Sequence, residues 1–324
     1  MPLDTRDGVK VTPKRTVITP RPDWLRLEYT CEADLALFDE VVENHQNVAL
    51  LQICVLMDGL EDYDYVINVP ITDELFSKLS PLTELEEIQA SNIPLRGYGF
   101  RYITSKIVKR ISLSWCTATD ELFSSLSHFQ NLQMLMVRHC FKTLVASDLG
   151  LLAENRSLTC CDFDHNCLPD ESFERFPELP VLRSLNLEAN CLTGENFHFL
   201  CRLPKLETLY LNKNPITLKG IKVIANHANH TLGVLNFSEC PNADDDWIPY
   251  LSQMNQLTSL TFEEAHITDA SVPYFQQMQN LQYLELGGCD ISKDACQAIH
   301  HACPRLTLSL PNGNLSNRDW SKFC

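Results

Sequence analysis

The chain has 324 residues, 44% of them hydrophobic, and a formal net charge of −16 at pH 7. The apolar fraction is sufficient for a large core, and the acidic balance disfavours general binding to nucleic acids, leaving only a local basic contact open. The longest apolar run, near residues 48–57, contains Gln52 and is too short to span a bilayer. The first twelve residues lack an apolar stretch, so no secretory signal is predicted. We therefore predict a cytoplasmic protein without a membrane anchor.

The N-terminal part of the chain differs in pattern from the remainder. Residues 1–22 contain four prolines, five basic residues and few residues that could be buried, which predicts a disordered tail. Residues 23–84 are predicted to form degenerate N-terminal repeats that act as a cap. An acidic insertion at residues 58–64 interrupts their spacing. Two degenerate strands are predicted one repeat length apart, the first at Trp24, Leu27 and Tyr29 and the second at Val48, Leu51 and Ile53.

A fixed spacing of apolar residues recurs through residues 85–324. Its two clearest copies follow one another directly, at Leu182, Leu185, Leu187, Asn190 and Leu192 and at Leu206, Leu209, Leu211, Asn214 and Ile216. Weaker copies with nearly the same step begin at Leu85, Val108, Leu132, Leu158, Leu232, Leu257 and Leu281, and a last strand with a C-terminal cap is predicted at Leu308 and Leu310. Such a regular period predicts an array of stacked units.

Each unit is predicted to be a strand, a turn and a short helix. In one short strand Leu185 and Leu187 alternate and point to one face, and the asparagine turns the chain out of the sheet. Hydroxyl residues that follow the motif predict helix N-caps, at Thr72, Thr119, Thr193, Thr217, Thr268 and Ser292. One unit cannot bury its apolar face alone, so the neighbours must stack.

The pattern L-x-x-L-x-L-x-x-N-x-L resembles the leucine-rich repeat, in particular its cysteine-bearing intracellular types with units of about 24 residues. Ribonuclease-inhibitor-like repeats and the receptor repeats of ubiquitin ligases are similar. The resemblance implies an α/β fold, a leucine-rich-repeat solenoid shaped as a curved horseshoe, with parallel strands on the concave face and short helices on the convex face. Cys116, Cys140, Cys240 and Cys289 occupy the asparagine position. Fourteen cysteines without an export signal favour reduced thiols, and we predict that these four are buried.

The register predicts which side chains lie on the exposed face of the strands, and these form the candidate partner-binding surface. They are Trp115, Met134, Met136, Arg138, His139, Asp162, Asp164, His165, Glu188, Tyr210, Lys213, Glu239, Glu263, Glu264, Tyr283 and Glu285. Aromatic residues and methionines in such a position are typical of binding patches.

Charge is distributed unevenly along the array. Residues 223–292 contain nine acidic residues and no lysine or arginine, whereas residues 88–119 contain five basic residues and no acid. This pattern predicts a basic protein partner, and the alternative is an acidic surface that serves only solubility. Either segment could be the contact surface.

No catalytic site is predicted. Cys160 lies five residues before His165 on one strand, about 16 Å away, so that histidine cannot act as its base. His139 and His165 fall in the same column, with Asp162, Asp164 and Glu188 nearby, so a surface metal site is geometrically conceivable. Exposed histidine beside aspartate is more often an ordinary hydrogen-bonded surface, so no metal and no cofactor are predicted. We therefore predict a non-catalytic protein-interaction scaffold. One alternative is a regulator of a partner enzyme, of the GTPase-activating or phosphatase-targeting type, with Arg110 and Arg138 as the arginines that could act in trans. A substrate-receptor subunit of a ubiquitin ligase is the other, and the oligomeric state stays open.

Overall fold

The computed structural model describes residues 17–20, 24–29, 42–44, 47–55, 73–141, 149–228, 230–310 and 313–315. The chain divides into two compact units, the first made of residues 1–142 with 151–158 and the second of residues 143–150 with 159–324. We describe each unit by itself.

The first unit contains a sheet in which strands follow one another in chain order. Its strands are β1 (Val17–Pro20), β2 (Trp24–Tyr29), β3 (Leu50–Val55), β4 (Glu87–Ser91), β5 (Arg110–Ser114) and β6 (Met134–Arg138). Strand β1 is antiparallel to β2, and β2 to β6 pair in parallel. The helices are α1 (Asp73–Ser77), α2 (Asp120–Leu126) and the 3₁₀ helix Tyr98–Tyr102. A further 3₁₀ helix, Leu149–Glu154, includes residues of both units.

The N-terminal end of this sheet differs from the prediction in two ways. Residues Val17–Pro20 form a strand inside the segment predicted to be disordered, because they pair with β2. The β2–β3 register places Trp24 opposite Leu50, whereas the repeat length predicted Val48 at that position. The step between these two strands is therefore 26 residues instead of 24, the same step as between Thr208 and Val234 in a later pair of strands. The acidic insertion at residues 58–64 lies outside the described residues.

The second unit continues the strand–turn–helix pattern. Its strands are β7 (Cys160–Asp162), β8 (Ser184–Asn186), β9 (Thr208–Tyr210), β10 (Val234–Asn236), β11 (Ser259–Thr261), β12 (Tyr283–Glu285), β13 (Thr307–Leu310) and β14 (Gly313–Leu315). Strands β7 to β13 pair in parallel, and β14 returns antiparallel to β13. The α-helices are α3 (Leu218–His227), α4 (Ile248–Leu251), α5 (Val272–Phe275) and α6 (Lys293–Ala302). The 3₁₀ helices are Asp170–Phe173, Phe197–Arg202, Asp245–Trp247 and Asp269–Ser271.

The predicted core of the second unit is confirmed. Leu209 pairs in register with Leu185 on one side and Leu235 on the other, and each of the three is at most 1% exposed. Large aromatic side chains from the connecting segments, such as Phe199 and Trp247, are also buried. The residues that flank each central leucine remain partly exposed. One side of the sheet is therefore accessible to solvent, and we call it the sheet face.

Three of the predicted helix caps are confirmed by side-chain hydrogen bonds. The hydroxyl groups accept backbone N–H groups in three pairs: Thr217 from Gly220, Thr268 from Ala270, and Ser292 from Ala295. Thr119 is also an N-cap residue, but its hydroxyl group donates to the carbonyl oxygen of Arg96.

The remaining two predicted caps have different outcomes. Thr193 is not a cap, because the carboxylate of Asp170 accepts both its N–H and its O–H, and the 3₁₀ helix begins four residues later at Phe197. Thr72 lies outside the described residues.

The asparagine position forms a buried ladder between repeats. Asn214 donates through Nδ2 to the carbonyl oxygens of Leu187 and Leu211, and its Oδ1 accepts the N–H groups of Asn190 and Leu192. At the same position of the next repeat, the thiol of Cys240 donates to the carbonyl oxygen of Leu211. A small weak donor can therefore replace the amide at this position.

The cysteines at this position are buried in three cases out of four. Cys116, Cys140 and Cys240 are at most 1% exposed, as predicted. Cys289 is only partly buried, so that prediction is wrong. It follows Gly287 and Gly288, which have no side chains to cover it. Burial raises the pKa of Cys240 to about 12.

We expect thiol labelling of the native protein to divide the described cysteines by burial. Cys167, Cys191 and Cys201 are exposed and should react rapidly with an aromatic disulfide reagent, whereas Cys116 and Cys240 should react only on unfolding. Mass spectrometry of labelled peptides against time gives the order. Rapid modification of Cys116 and Cys240 in the folded protein, or a disulfide detected at either, would contradict the ladder assignment.

Candidate functional site

A recurring turn fixes where the side chains at the end of each strand project. The side chains of Asp162, Asn186 and Asn236 accept the N–H group two residues later and so bend the chain out of the strand. The residue just before the ladder position then adopts a left-handed conformation, with positive φ at Trp115, His139, His165, Ala189, Lys213, Glu239, Glu264 and Gly288. We call these residues the edge column.

In the first unit, the edge column carries an aromatic pair. The rings of Trp115 and His139 stack with their centroids 3.8 Å apart and their planes 11° apart, and both side chains are partly exposed. Met134, Met136 and Arg138 on β6 are also partly exposed. We call these five residues the aromatic patch, in which Trp115 and His139 are in direct contact and the other three lie along β6.

In the second unit, Lys213 lies between two carboxylates. Its Nζ is 2.9 Å from Glu188 and 3.6 Å from Glu239. The hydrogen bond to Glu188 raises the pKa of Lys213. Burial alone would raise the pKa of Glu188, but hydrogen bonds from Lys213 and Asn212 outweigh it and lower that pKa. Both groups therefore carry full charge at neutral pH and largely neutralise one another.

Beyond this pair, the sheet face becomes acidic. Glu239, Glu263, Glu264 and Glu285 come from three consecutive repeats, and the first three are exposed. The Oη of Tyr283 donates to Glu285 over 2.6 Å. We call these four glutamates the acidic patch.

Close packing within the acidic patch depends on a glycine. A Cβ added at Gly288 would lie 2.5 Å from Oε1 of Glu264, and Gly288 itself has a φ of +72°. The side chain of Glu264 thus lies over the next repeat, in the space that glycine leaves. Burial, followed by the hydrogen bond to Glu285, raises the pKa of Tyr283, so this phenol stays neutral beside the carboxylates.

The remaining predicted site residues of this unit differ in how far they are exposed. Tyr210 on β9 is partly exposed, as are Asp164 and His165, whose side chains lie 3.7 Å apart. Asp162 was predicted to be exposed, but it is only 5% exposed, because its carboxylate turns back to accept the N–H of Asp164. We therefore remove Asp162 from the candidate surface.

The basic segment at residues 88–119 is less positive than its sequence indicates. Lys109 pairs with Glu86 over 2.9 Å, and Arg110 pairs with Glu87 over 2.6 Å. Both acids belong to the preceding repeat, so a count of the charged residues within 88–119 does not include them. The other three bases of the segment, Arg96, Arg101 and Lys106, are exposed.

One family model and two solved structures are similar to this chain. A family model described as Leucine Rich repeat matches residues 202–225 and 277–299. An internalin (inlF) from Listeria monocytogenes is similar over 88% of this chain and 86% of its own, with 13% identity and a TM-score of 0.48. The structure of Rad7 in complex with Elc1 from yeast is similar over 87% of this chain and 75% of that chain, with 17% identity and a TM-score of 0.53.

At this level of identity, the likeness to Rad7 concerns the fold alone. A search of curated proteins finds no match to the sequence. Within the described ranges, no helix is long and apolar enough to cross a membrane. The matched repeats, the in-register leucines and the asparagine–cysteine ladder together show that the chain contains leucine-rich repeats and has their fold.

Proposed function

We propose that this protein is a non-catalytic scaffold that binds a basic protein partner on the sheet face of its second unit. Leucine-rich repeats are scaffolds for protein interaction, since their stacked strands offer an extended surface. The acidic patch is the observation that supports a basic partner. It lies within residues 223–292, a stretch without a lysine or arginine.

The size of the surface supports a macromolecular partner. Strands β7 to β13 are seven parallel strands, so their sheet face extends about 30 Å at the usual strand spacing. Tyr210 lies on the same face, four residues from the ladder Asn214, and offers a partly exposed aromatic anchor. An aromatic anchor beside a charged rim is the usual composition of a protein-binding patch.

The charges on this face favour a partner with several lysines or arginines. Lys213 is occupied by Glu188 and Glu239, so the positive charge next to the acidic patch is already neutralised. Exposed Glu263 and Glu264 lie within residues 223–292, a stretch that contains no lysine or arginine to pair with them. Long-range attraction would therefore accelerate association with a basic partner.

A regulator of an enzyme is less well supported. Of the two arginines that could act in trans, Arg110 is exposed but paired with Glu87, and Arg138 is only partly exposed. Either would have to leave its present environment to reach a partner. As a second candidate we keep a receptor subunit of a multiprotein complex, because the similar Rad7 is seen in a complex with Elc1.

We expect charge removal at the acidic patch to slow association with the partner. The partner is first captured from native lysate and identified by mass spectrometry, and its binding is then followed by surface plasmon resonance at three salt concentrations. The double variant Glu263→Gln with Glu264→Gln should lower the on-rate by about three- to tenfold at low salt and flatten its salt dependence, since exposed charges are screened beyond about 8 Å at physiological ionic strength.

The matched control is the double variant Glu171→Gln with Glu178→Gln. These exposed glutamates belong to the connecting segments of the same unit, and their replacement changes the net charge equally. The on-rate of this control variant should be near that of the parent. Tyr210→Ala should instead accelerate dissociation, because it removes an apolar anchor. An on-rate that responds to neither salt nor the Glu263 and Glu264 replacements would reduce the acidic patch to a solubility feature.

The aromatic patch of the first unit is tested separately. Trp115→Ala should accelerate dissociation of a partner that uses this surface, because it removes the ring that stacks on His139. A dissociation rate unchanged by Trp115→Ala would remove the aromatic patch from the proposed surface and leave the acidic patch as the binding site.

A further inference from the structure

Two histidines of adjacent repeats meet on the helical side of the second unit. His198 lies in the 3₁₀ helix Phe197–Arg202, and His227 is the last residue of α3. Nδ1 of His198 is 3.2 Å from Nε2 of His227, and the two rings are nearly perpendicular, with planes 74° apart. Both side chains are exposed to solvent. The pair lies outside the repeat motif and its members are 29 residues apart, so the sequence does not single it out.

The backbone around the pair is closely packed. A Cβ added at Gly220 in α3 would lie 2.9 Å from the Cα of Gly194, so the two backbones touch at this point. Thr217, which caps α3, donates through both its N–H and its hydroxyl to the carbonyl oxygen of Thr193. The two elements that carry the histidines are thereby fixed relative to one another.

The neighbours of His198 in sequence add to this rigidity. Phe197 and Phe199 are both buried, at 1% and 2% exposure, so His198 projects outward between two anchored rings. The imidazoles consequently start from a nearly preorganised arrangement, which reduces the entropy that binding must overcome.

The separation of the two nitrogens is that of two ligands on one metal ion. With metal–nitrogen bonds of about 2.0–2.1 Å, two imidazole nitrogens lie about 3.3–3.4 Å apart at a tetrahedral centre and about 2.9 Å apart at a right angle. The observed 3.2 Å falls between these values. Without a metal ion, the same distance is a hydrogen bond in which one ring donates and the other accepts.

We propose that His198 and His227 form a surface site for a late first-row divalent transition-metal ion. Imidazole nitrogens select Zn²⁺, Ni²⁺ and Cu²⁺ over Mg²⁺ and Ca²⁺, which prefer oxygen ligands. Among the described residues, no third His, Cys, Asp or Glu completes a ligand group with this pair. Water therefore fills the remaining positions, and the bound ion links two successive repeats. The site is independent of the proposed partner binding on the sheet face.

The site is tested by titrating Ni²⁺ into the full-length protein with isothermal titration calorimetry. The parent should show a chelating site, and His198→Gln or His227→Gln should each weaken its affinity on the order of a hundredfold, because one ligand is lost from a preorganised pair. The control His266→Gln replaces an exposed histidine of the same unit and should retain the parent affinity. Mg²⁺ should give no heat at this site. Ni²⁺ should also raise the melting temperature of the parent and of His266→Gln only.

The comparison of parent and double variant separates the pair from binding by thiols elsewhere in the chain. Since both histidines are exposed, the variants should keep the circular dichroism spectrum of the parent. If the double variant His198→Gln with His227→Gln binds Ni²⁺ with the affinity and stoichiometry of the parent, the proposal is wrong. A parent that binds no Ni²⁺ at millimolar concentration would overturn it equally.

Discussion

Replacing Leu209 by alanine is expected to lower the free energy of unfolding by about 2–5 kcal/mol. Leu209 is 1% exposed at the centre of β9 and is in register with Leu185 and Leu235 of the neighbouring strands. Its removal leaves a cavity that the two adjacent repeats cannot fill without losing their own register. Urea denaturation followed by circular dichroism measures the change.

The matched control for this substitution is Leu151→Ala. Leu151 is 36% exposed, so the same change of side chain leaves no comparable cavity there. We expect its effect to be within about 0.5–1 kcal/mol of zero. Equal losses at Leu209 and Leu151 would show that Leu209 does not belong to the interior of the array.

Replacing Asn214 by alanine should be as damaging, through lost hydrogen bonds. Its amide group serves the carbonyl oxygens of Leu187 and Leu211 and the N–H groups of Asn190 and Leu192. Asn214 is 0% exposed, so water cannot take over these contacts. Each buried polar group that loses its partner costs about 1–3 kcal/mol, and we expect a total loss of about 3–5 kcal/mol.

Two further substitutions show whether this loss is due to the ladder. Asn214→Cys should recover part of the stability, because the thiol of Cys240 makes the equivalent bond to Leu211 one repeat later. It cannot recover all of it, since the accepting oxygen is lost. Asn226→Ala removes an exposed asparagine of α3 and should have little effect on the unfolding free energy. Equal stabilities of the alanine and cysteine variants would contradict the role of the donor group.

The sequence by itself determined the repeat, its register and most of the core. The leucines that lie two residues apart alternate across a strand, and burial of that face is the largest favourable contribution to folding, so the pattern must be kept in every unit. For the same reason Leu209 and the ladder residue Asn214 were predictable. The caps at Thr217, Thr268 and Ser292 were predictable because they depend on backbone groups two or three residues away.

Contacts between repeats were decided only by the tertiary structure. Whether Asp162 points outward depends on a turn that captures its carboxylate, and whether Arg110 is free depends on Glu87, one repeat earlier. The meeting of His198 and His227 depends on connecting segments that follow no fixed pattern. The repeat motif constrains the buried strand, whereas the lengths between motifs vary from one unit to the next. Side chains that project from the connections therefore find their neighbours only once the repeats have stacked.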